Sequence, residues 1–245
     1  MRVTRERRVA SKAVAAVSSS AAEARPEPPL IPLIAEPRGS AQSLWWKRAL
    51  DLAICLPLLL ACLPVIGLLA LLVRLDSPGP AFFGQQRVGR NGAIFRMWKL
   101  RTMDDGCDDG RHRQAAADWF AAQPDQDYYK TLADPRITRV GRWMRRLDLD
   151  ELPQLINVLL GEMSLVGPRP AIPYELELYD PVYMDRLQVP PGITGLWQVT
   201  RRARLSAPEM MALDLRYVQE VSLWLDIKTI VLTAPALLLA ALGRG

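Results

Sequence analysis

From Leu52 to Val73 the chain reads "LAICLPLLLACLPVIGLLALLV" and carries no charged residue. A straight helix of that run would be ~33 Å long at ~1.5 Å per residue, enough to cross a hydrocarbon core of ~30 Å. A helix at a protein surface keeps one polar face, and this run has none, so a core helix of a soluble protein is the weaker reading. Trp45 and Trp46 stand at its entrance, where interfacial aromatics belong. Two prolines, Pro57 and Pro64, interrupt it, and each removes a helix hydrogen bond. Both flanks are basic: Lys47 and Arg48 stand directly before it, and Arg74, Arg87, Arg90, Arg96, Lys99 and Arg101 follow it. Positive flanks favour the cytoplasmic side. A helix broken at a proline that enters and leaves one leaflet satisfies both flanks; a straight crossing strands one of them. On composition the two stand about even.

The rest of the chain reads as a mainly helical α+β domain. Residues 1–43 are basic, then Ala/Ser-rich, then Pro-rich, and are expected to be a disordered tail without the continuous apolar stretch of a secretory signal. On these boundaries residues 44–76 are expected to be the membrane segment and 77–245 the folded domain. "PAFFGQQRVGRNGAIFRMWKLRTM" predicts a β-hairpin turning at Asn91-Gly92. Residues 104–135 form a polar insertion with one short helix, and its only histidine, His112, is expected to be a solvated loop residue. Leu152, Leu155, Ile156, Leu159, Leu160 and Met163 recur at helical spacing, which starts a helix near Asp150. The segment "SLWLDIKTIVLTAPALLLAAL" predicts a C-terminal helix on the membrane or closing the core.

Two adjacent acids open the central helix in "RWMRRLDLDELPQLINVLLGEM". Read as caps, Asp150 is an N-cap, or Asp148 and Glu151 form a capping box. That does not explain Arg142, Arg145 and Arg146 just before them, because a helix start is already positive. Acids and arginines together there suit a phosphate, a metal and a nucleophile. Arg169, between two prolines in "GPRP", suits a pre-organised phosphate fork. Lys99 and Arg101 are two apart, so on a strand they share a face, and Arg201, Arg202 and Arg204 form a further cationic set. Four cationic sets around an acid pair beside an apolar run fit a diphosphate substrate. The three cysteines, Cys55, Cys62 and Cys107, form no CxxC pair, and with one histidine any metal is expected to be a hard cation on carboxylates and phosphates. No basic and aromatic residues interleave into a stacking face, so nucleic acid is not an expected partner.

Taken in order, "KRALDL", "DSPGPAFFGQQRVGRNG", "FRMWKLRTM", "DPRITRVGRWMRRLDLDELPQLINVLLGEMSLVGPRP" and "PGITGLWQVTRR" resemble the monotopic polyprenyl-phosphate phosphoglycosyl transferases, bacterial sugar transferases that begin surface-polysaccharide assembly. The resemblance covers about Trp46 to Leu242. It implies a re-entrant helix-break-helix in the cytoplasmic leaflet of the bacterial inner membrane, with Pro64 at the break, under a small catalytic domain seated on the lipids. It implies transfer of a sugar 1-phosphate from a UDP-sugar to polyprenyl (undecaprenyl) phosphate with release of UMP. Asp150 would be the nucleophile and hold Mg²⁺, and Glu151 would act as base or help place the metal. Arg145 and Arg169 match phosphate-contacting positions, and the transfer extends to Lys99, Arg202 and Asp214. A homodimer stays open. Two positions depart from the family pattern: Leu63-Pro64 stands where Ser-Pro is common, and Arg201 where a glycine is common.

Overall fold

The computed structural model describes residues 44–106, 110–121, 134–200 and 205–241. The expected tail, Cys107 and the Arg201, Arg202 and Arg204 set lie outside these. The apolar run forms one helix, α1 (Trp45–Asp76), with Pro57 and Pro64 both inside it. The break expected at Pro64 is therefore not a break in the helical backbone. A proline keeps helical φ and deletes one hydrogen bond, so it bends a helix before it interrupts one. Cys55, Leu59, Ile66, Leu69 and Val73 make a buried stripe along α1. Between them Leu56, Leu60, Leu63, Leu68 and Leu71 are half exposed or more.

Strands β1 (Phe82–Val88) and β2 (Ile94–Leu100) pair antiparallel from Phe82↔Leu100 to Val88↔Ile94. The hairpin is as expected, but its turn is wider than two residues: Gly89 donates to the Ala93 carbonyl at 2.7 Å, and three residues lie between them. Asn91 (φ 55°) and Gly92 (φ 80°) both take the left-handed region, which asparagine and glycine tolerate best. Phe95 and Met97 point into the core, and Lys99 follows on the same alternating face.

Helix α2 (Gly110–Phe120) packs Ala116 and Trp119 against Trp197, Met210 and Met211. His112 is on this helix, not in a loop; its Nδ1 meets the Tyr174 hydroxyl. Helix α3 (Arg139–Arg146) is capped by the Thr138 hydroxyl, which accepts from the Gly141 amide at 3.0 Å. Gly141 lies so close to β2's continuation that a Cβ would sit 2.2 Å from the Thr102 carbonyl oxygen. Only glycine allows that approach, and it brings Arg145, one turn later, beside Thr102.

A 3₁₀ turn (Leu149–Glu151) leads into α4 (Gln154–Leu160), then β3 (Ser164–Val166). β3 pairs in parallel with β4 (Gly192–Thr194). Short 3₁₀ segments, Pro173–Leu178 and Pro181–Gln188, connect them. Helices α5 (Leu196–Thr200), α6 (Ala207–Glu220) and α7 (Leu223–Ala241) follow β4. The main core joins Cys55, Leu59 and Ile66 of α1 to Phe95, Met97, Leu155, Val158, Leu165 and Tyr217. A second cluster joins Leu69 and Val73 to Leu100 and Met144. α1 is thus part of the same core as the rest.

Candidate active site

The acids do not open the α-helix, as the spacing of the leucines suggests. They lie one turn earlier, in the 3₁₀ turn, and Pro153 occupies the N-cap position of α4. Neither capping reading survives. Asp148 makes no side-chain cap; it is the left-handed residue (φ 54°) that reverses the chain between α3 and the acids. Aspartate is one of the few non-glycine residues that enter this region readily.

Asp150 is 4% exposed, and its Oδ1 is buried without a hydrogen-bond partner. A buried carboxylate oxygen ordinarily finds a donor, and leaving one unmade costs roughly 1–3 kcal/mol or more. An oxygen left in this state is open to a cation or an electrophile. Glu151 is more open and accepts from Lys99 Nζ at 3.0 Å. Arg145 donates Nε to the Thr102 hydroxyl at 2.9 Å. Burial pulls its guanidinium below the usual range, and the charges of Asp150, Asp134 and Glu151 oppose that shift. Arginine stays protonated in proteins, so Arg145 is a cation whose charge interacts with both acids. The structure thus brings Asp150, Glu151, Lys99 and Arg145 into one cluster. Asp150 and Glu151 are the residues here that could hold a hard cation, which takes one or two protein carboxylates and completes its shell with other oxygens.

Arg169 is held through its backbone. The Arg186 guanidinium donates to the Arg169 carbonyl at 2.8 Å, and the Arg169 amide donates to Asp214. Asp214 is 1% exposed and paired with Arg186. Burial pushes its carboxyl up, against the pull of Arg186 and the Arg169 amide. Asp214, expected among the phosphate-binding residues, instead lies behind the loop and anchors it. Arg87 adds a bond from Nη1 to the Pro170 carbonyl at 2.8 Å. Arg101 is a second correction. β2 ends at Leu100, and Arg101 turns away to the carbonyls of Ser77 and Pro78 at the end of α1. Its side chain closes a corner; only Lys99 of that pair reaches the acids. Arg202 lies outside the described residues.

Sequence reasoning missed Arg186, Thr102 and Asn157. Asn157 accepts from the Trp98 amide at 3.0 Å and donates to the Arg96 carbonyl at 2.7 Å, so α4 is bonded to the edge of β2. A lone amide inside the apolar repeat "LINVLL" was the available signal, because a buried amide needs partners.

The profile of the bacterial sugar transferase family matches residues 42–240, and the chain belongs to that family. It is 40% identical over 199 residues to the exopolysaccharide production protein ExoY of Rhizobium meliloti, covering 79% of this chain and 86% of that one. It is 43% identical over 200 residues to the UDP-glucose:undecaprenyl-phosphate glucose-1-phosphate transferase of Caulobacter vibrioides, covering 78% and 69%. It is 40% identical over 196 residues to the undecaprenyl-phosphate galactose phosphotransferase of Salmonella typhimurium, covering 80% of this chain and 41% of that one. The family read from the sequence motifs is therefore the right one.

Proposed function

We propose that the chain transfers a sugar 1-phosphate from a UDP-sugar to polyprenyl phosphate, the first step of a bacterial surface polysaccharide. The observation that carries this is the buried, unpartnered Oδ1 of Asp150 beside Arg145 and the Lys99–Glu151 pair. An Asp150 oxygen attacks the β-phosphorus, and the bond from that phosphorus to the oxygen bridging to the α-phosphate breaks. UMP leaves, and the sugar phosphate stays on Asp150 as an acyl phosphate. A phosphate oxygen of the lipid acceptor then attacks the same phosphorus, releasing the Asp150 carboxylate and forming polyprenyl diphosphate-sugar. A covalent intermediate divides one difficult transfer into two. Arg145 stabilises the phosphoryl oxygens, and Arg169, fixed by Asp214 and Arg186, completes the phosphate grip. Mg²⁺ on Asp150 would supply further charge neutralisation to the diphosphate. The relatives' names, which include both glucose and galactose carriers, support the reaction and leave the sugar open. Purified enzyme should release UMP only with a UDP-sugar and polyprenyl phosphate together at steady state. EDTA should stop release and Mg²⁺ restore it. Full turnover in EDTA would remove the metal from the reading, and failure of every UDP-sugar would remove the donor.

The same reading seats the protein on the cytoplasmic leaflet of the inner membrane. α1 is one helix long and apolar enough to cross a bilayer, judged by length and composition. Both its ends are bonded to the catalytic fold: Asp51 accepts from the Leu165 amide at 2.9 Å, and Asp76 from the Val140 amide at 2.8 Å. A helix tied at both ends to one domain does not deliver those ends to opposite faces, which supports a re-entrant seat bent near a proline. Single cysteines at Arg90 and at Ser43 should both resist an impermeant thiol reagent in intact cells whose enzyme lacks the three native cysteines. Labelling at one position alone would establish a full crossing.

A further inference from the structure

The segment "KRALDL" ahead of the apolar run has no part in the chemistry above. In sequence its cations read as a membrane flank. In the structure Arg48 does something else: Nη1 donates to the Val158 carbonyl, and Nη2 to the Leu159 carbonyl at 2.6 Å. Both carbonyls lie in the last turn of α4, the Val158 one also accepting from the Gly161 amide at 3.0 Å, and a cation there meets the negative end of the helix dipole. Two turns further along α1, Cys55 Sγ donates to the Leu155 carbonyl at 3.2 Å, in the first turn of α4. α1 therefore grips α4 at both ends. On its other side α4 is bonded through Asn157 to β2, the strand that carries Lys99.

α4 runs without slack into the acids. The Glu151 amide donates to Asp148, Leu152 to Leu149, Leu155 to Leu152 and Ile156 to Pro153, one bonded column from the left-handed Asp148 to the helix. We infer that Arg48 is a positioning residue for the acid pair: it fixes α4 from its far end, and α4 fixes the turn that presents Asp150 and Glu151. The inference rests on the reading of those two acids as the reacting pair. It makes a residue of the membrane helix set the geometry of the chemical step.

The test uses the full chain in lipid nanodiscs. Arg48→Met keeps the aliphatic stem and removes both donors; Arg48→Lys keeps a cation that reaches one carbonyl. In Arg48→Met, kcat for UMP release should fall by about tenfold, because small misplacement of a reacting group is costly in rate. KM for the UDP-sugar should stay within about twofold, since the donor's binding groups are untouched, and Arg48→Lys should recover most of kcat. Hydrogen exchange supplies a readout that needs no substrate and so stands apart from the proposed donor: the amides of Glu151 and Leu152 should exchange about threefold faster or more in Arg48→Met. If Arg48→Met does not accumulate, Arg48→Gln takes its place. Wild-type kcat in the variant, or faster exchange confined to residues 158–162, would make Arg48 an ordinary helix cap and overturn the inference.

Discussion

Asp150→Asn is expected to abolish transfer while the fold survives. The substitution removes no hydrogen bond at Oδ1, because that atom has none, and it removes a charge that is 4% exposed. Thermal stability should therefore hold or rise slightly. Activity should not hold: an amide cannot form the acyl phosphate, and loss of a nucleophile removes roughly 10⁴-fold or more of kcat. Mass spectrometry after adding UDP-sugar without acceptor separates the possibilities. The wild-type peptide containing Asp150 should gain one sugar phosphate and lose it on addition of polyprenyl phosphate; the variant should gain nothing. Glu151→Gln should also be severe, with the Lys99 ion pair lost. Asp148→Asn should be mild, because asparagine also accepts the left-handed backbone that Asp148 adopts. An active Asp150→Asn enzyme would sink the covalent route.

Lys47→Met should be strongly destabilising. Lys47 is 1% exposed, and its ammonium donates to the Val166 carbonyl at 2.7 Å, the Tyr217 hydroxyl at 2.9 Å and Asp226 at 2.6 Å. Three donors meet three acceptors. Tyr217 in turn donates to the other oxygen of Asp226 at 2.6 Å. Burial first, and then Asp226, push the Tyr217 phenol well above its usual range, so it remains a donor. Removing the lysine strands a carboxylate that is 1% exposed, at a cost of about 3–5 kcal/mol. For a chain of this size that corresponds to a fall of roughly 10 °C in the thermal midpoint. The exposed Lys228→Met should move it by about 2 °C or less. Replacing Lys47 and Asp226 together by Met and Leu should cost less than Lys47→Met alone, since no unpaired charge is then left. A Lys47→Met midpoint equal to that of Lys228→Met would show that the ion pair contributes little.

Part of the candidate cluster was legible because its charges stand out from what folding alone asks for there. Two acids after a cluster of arginines marked Asp150, Glu151 and Arg145, although Arg145 and Arg146 close the last turn of α3, where cations suit the helix dipole. The hairpin was legible from Asn91-Gly92, whose backbone few other pairs adopt. Arg101 and Asp214 were misplaced because a charge seen in sequence looks the same whether it faces a substrate or a carbonyl. Which it faces depends on where β2 stops and on what lies behind the "GPRP" loop, and neither is local information. Lys47 failed for the same reason: its partner Asp226 is far along the chain, and nothing near either residue announces the other. At Pro64 the difference is of another kind. Proline propensity in water predicts a break, while a long apolar helix keeps its remaining hydrogen bonds and yields at most a bend.

The buried stripe of α1 has a practical consequence for anyone dissecting the protein. Cys55, Leu59, Ile66, Leu69 and Val73 belong to the two clusters that also hold Phe95, Leu155, Leu100 and Met144. A variant trimmed at the start of β1 would lose one wall of its interior along with its anchor. It would expose those facing side chains to water, and no solubilising tag would replace them. Grafting an unrelated membrane helix in its place would restore attachment but not the wall, so anchor and enzyme are a single inheritable part.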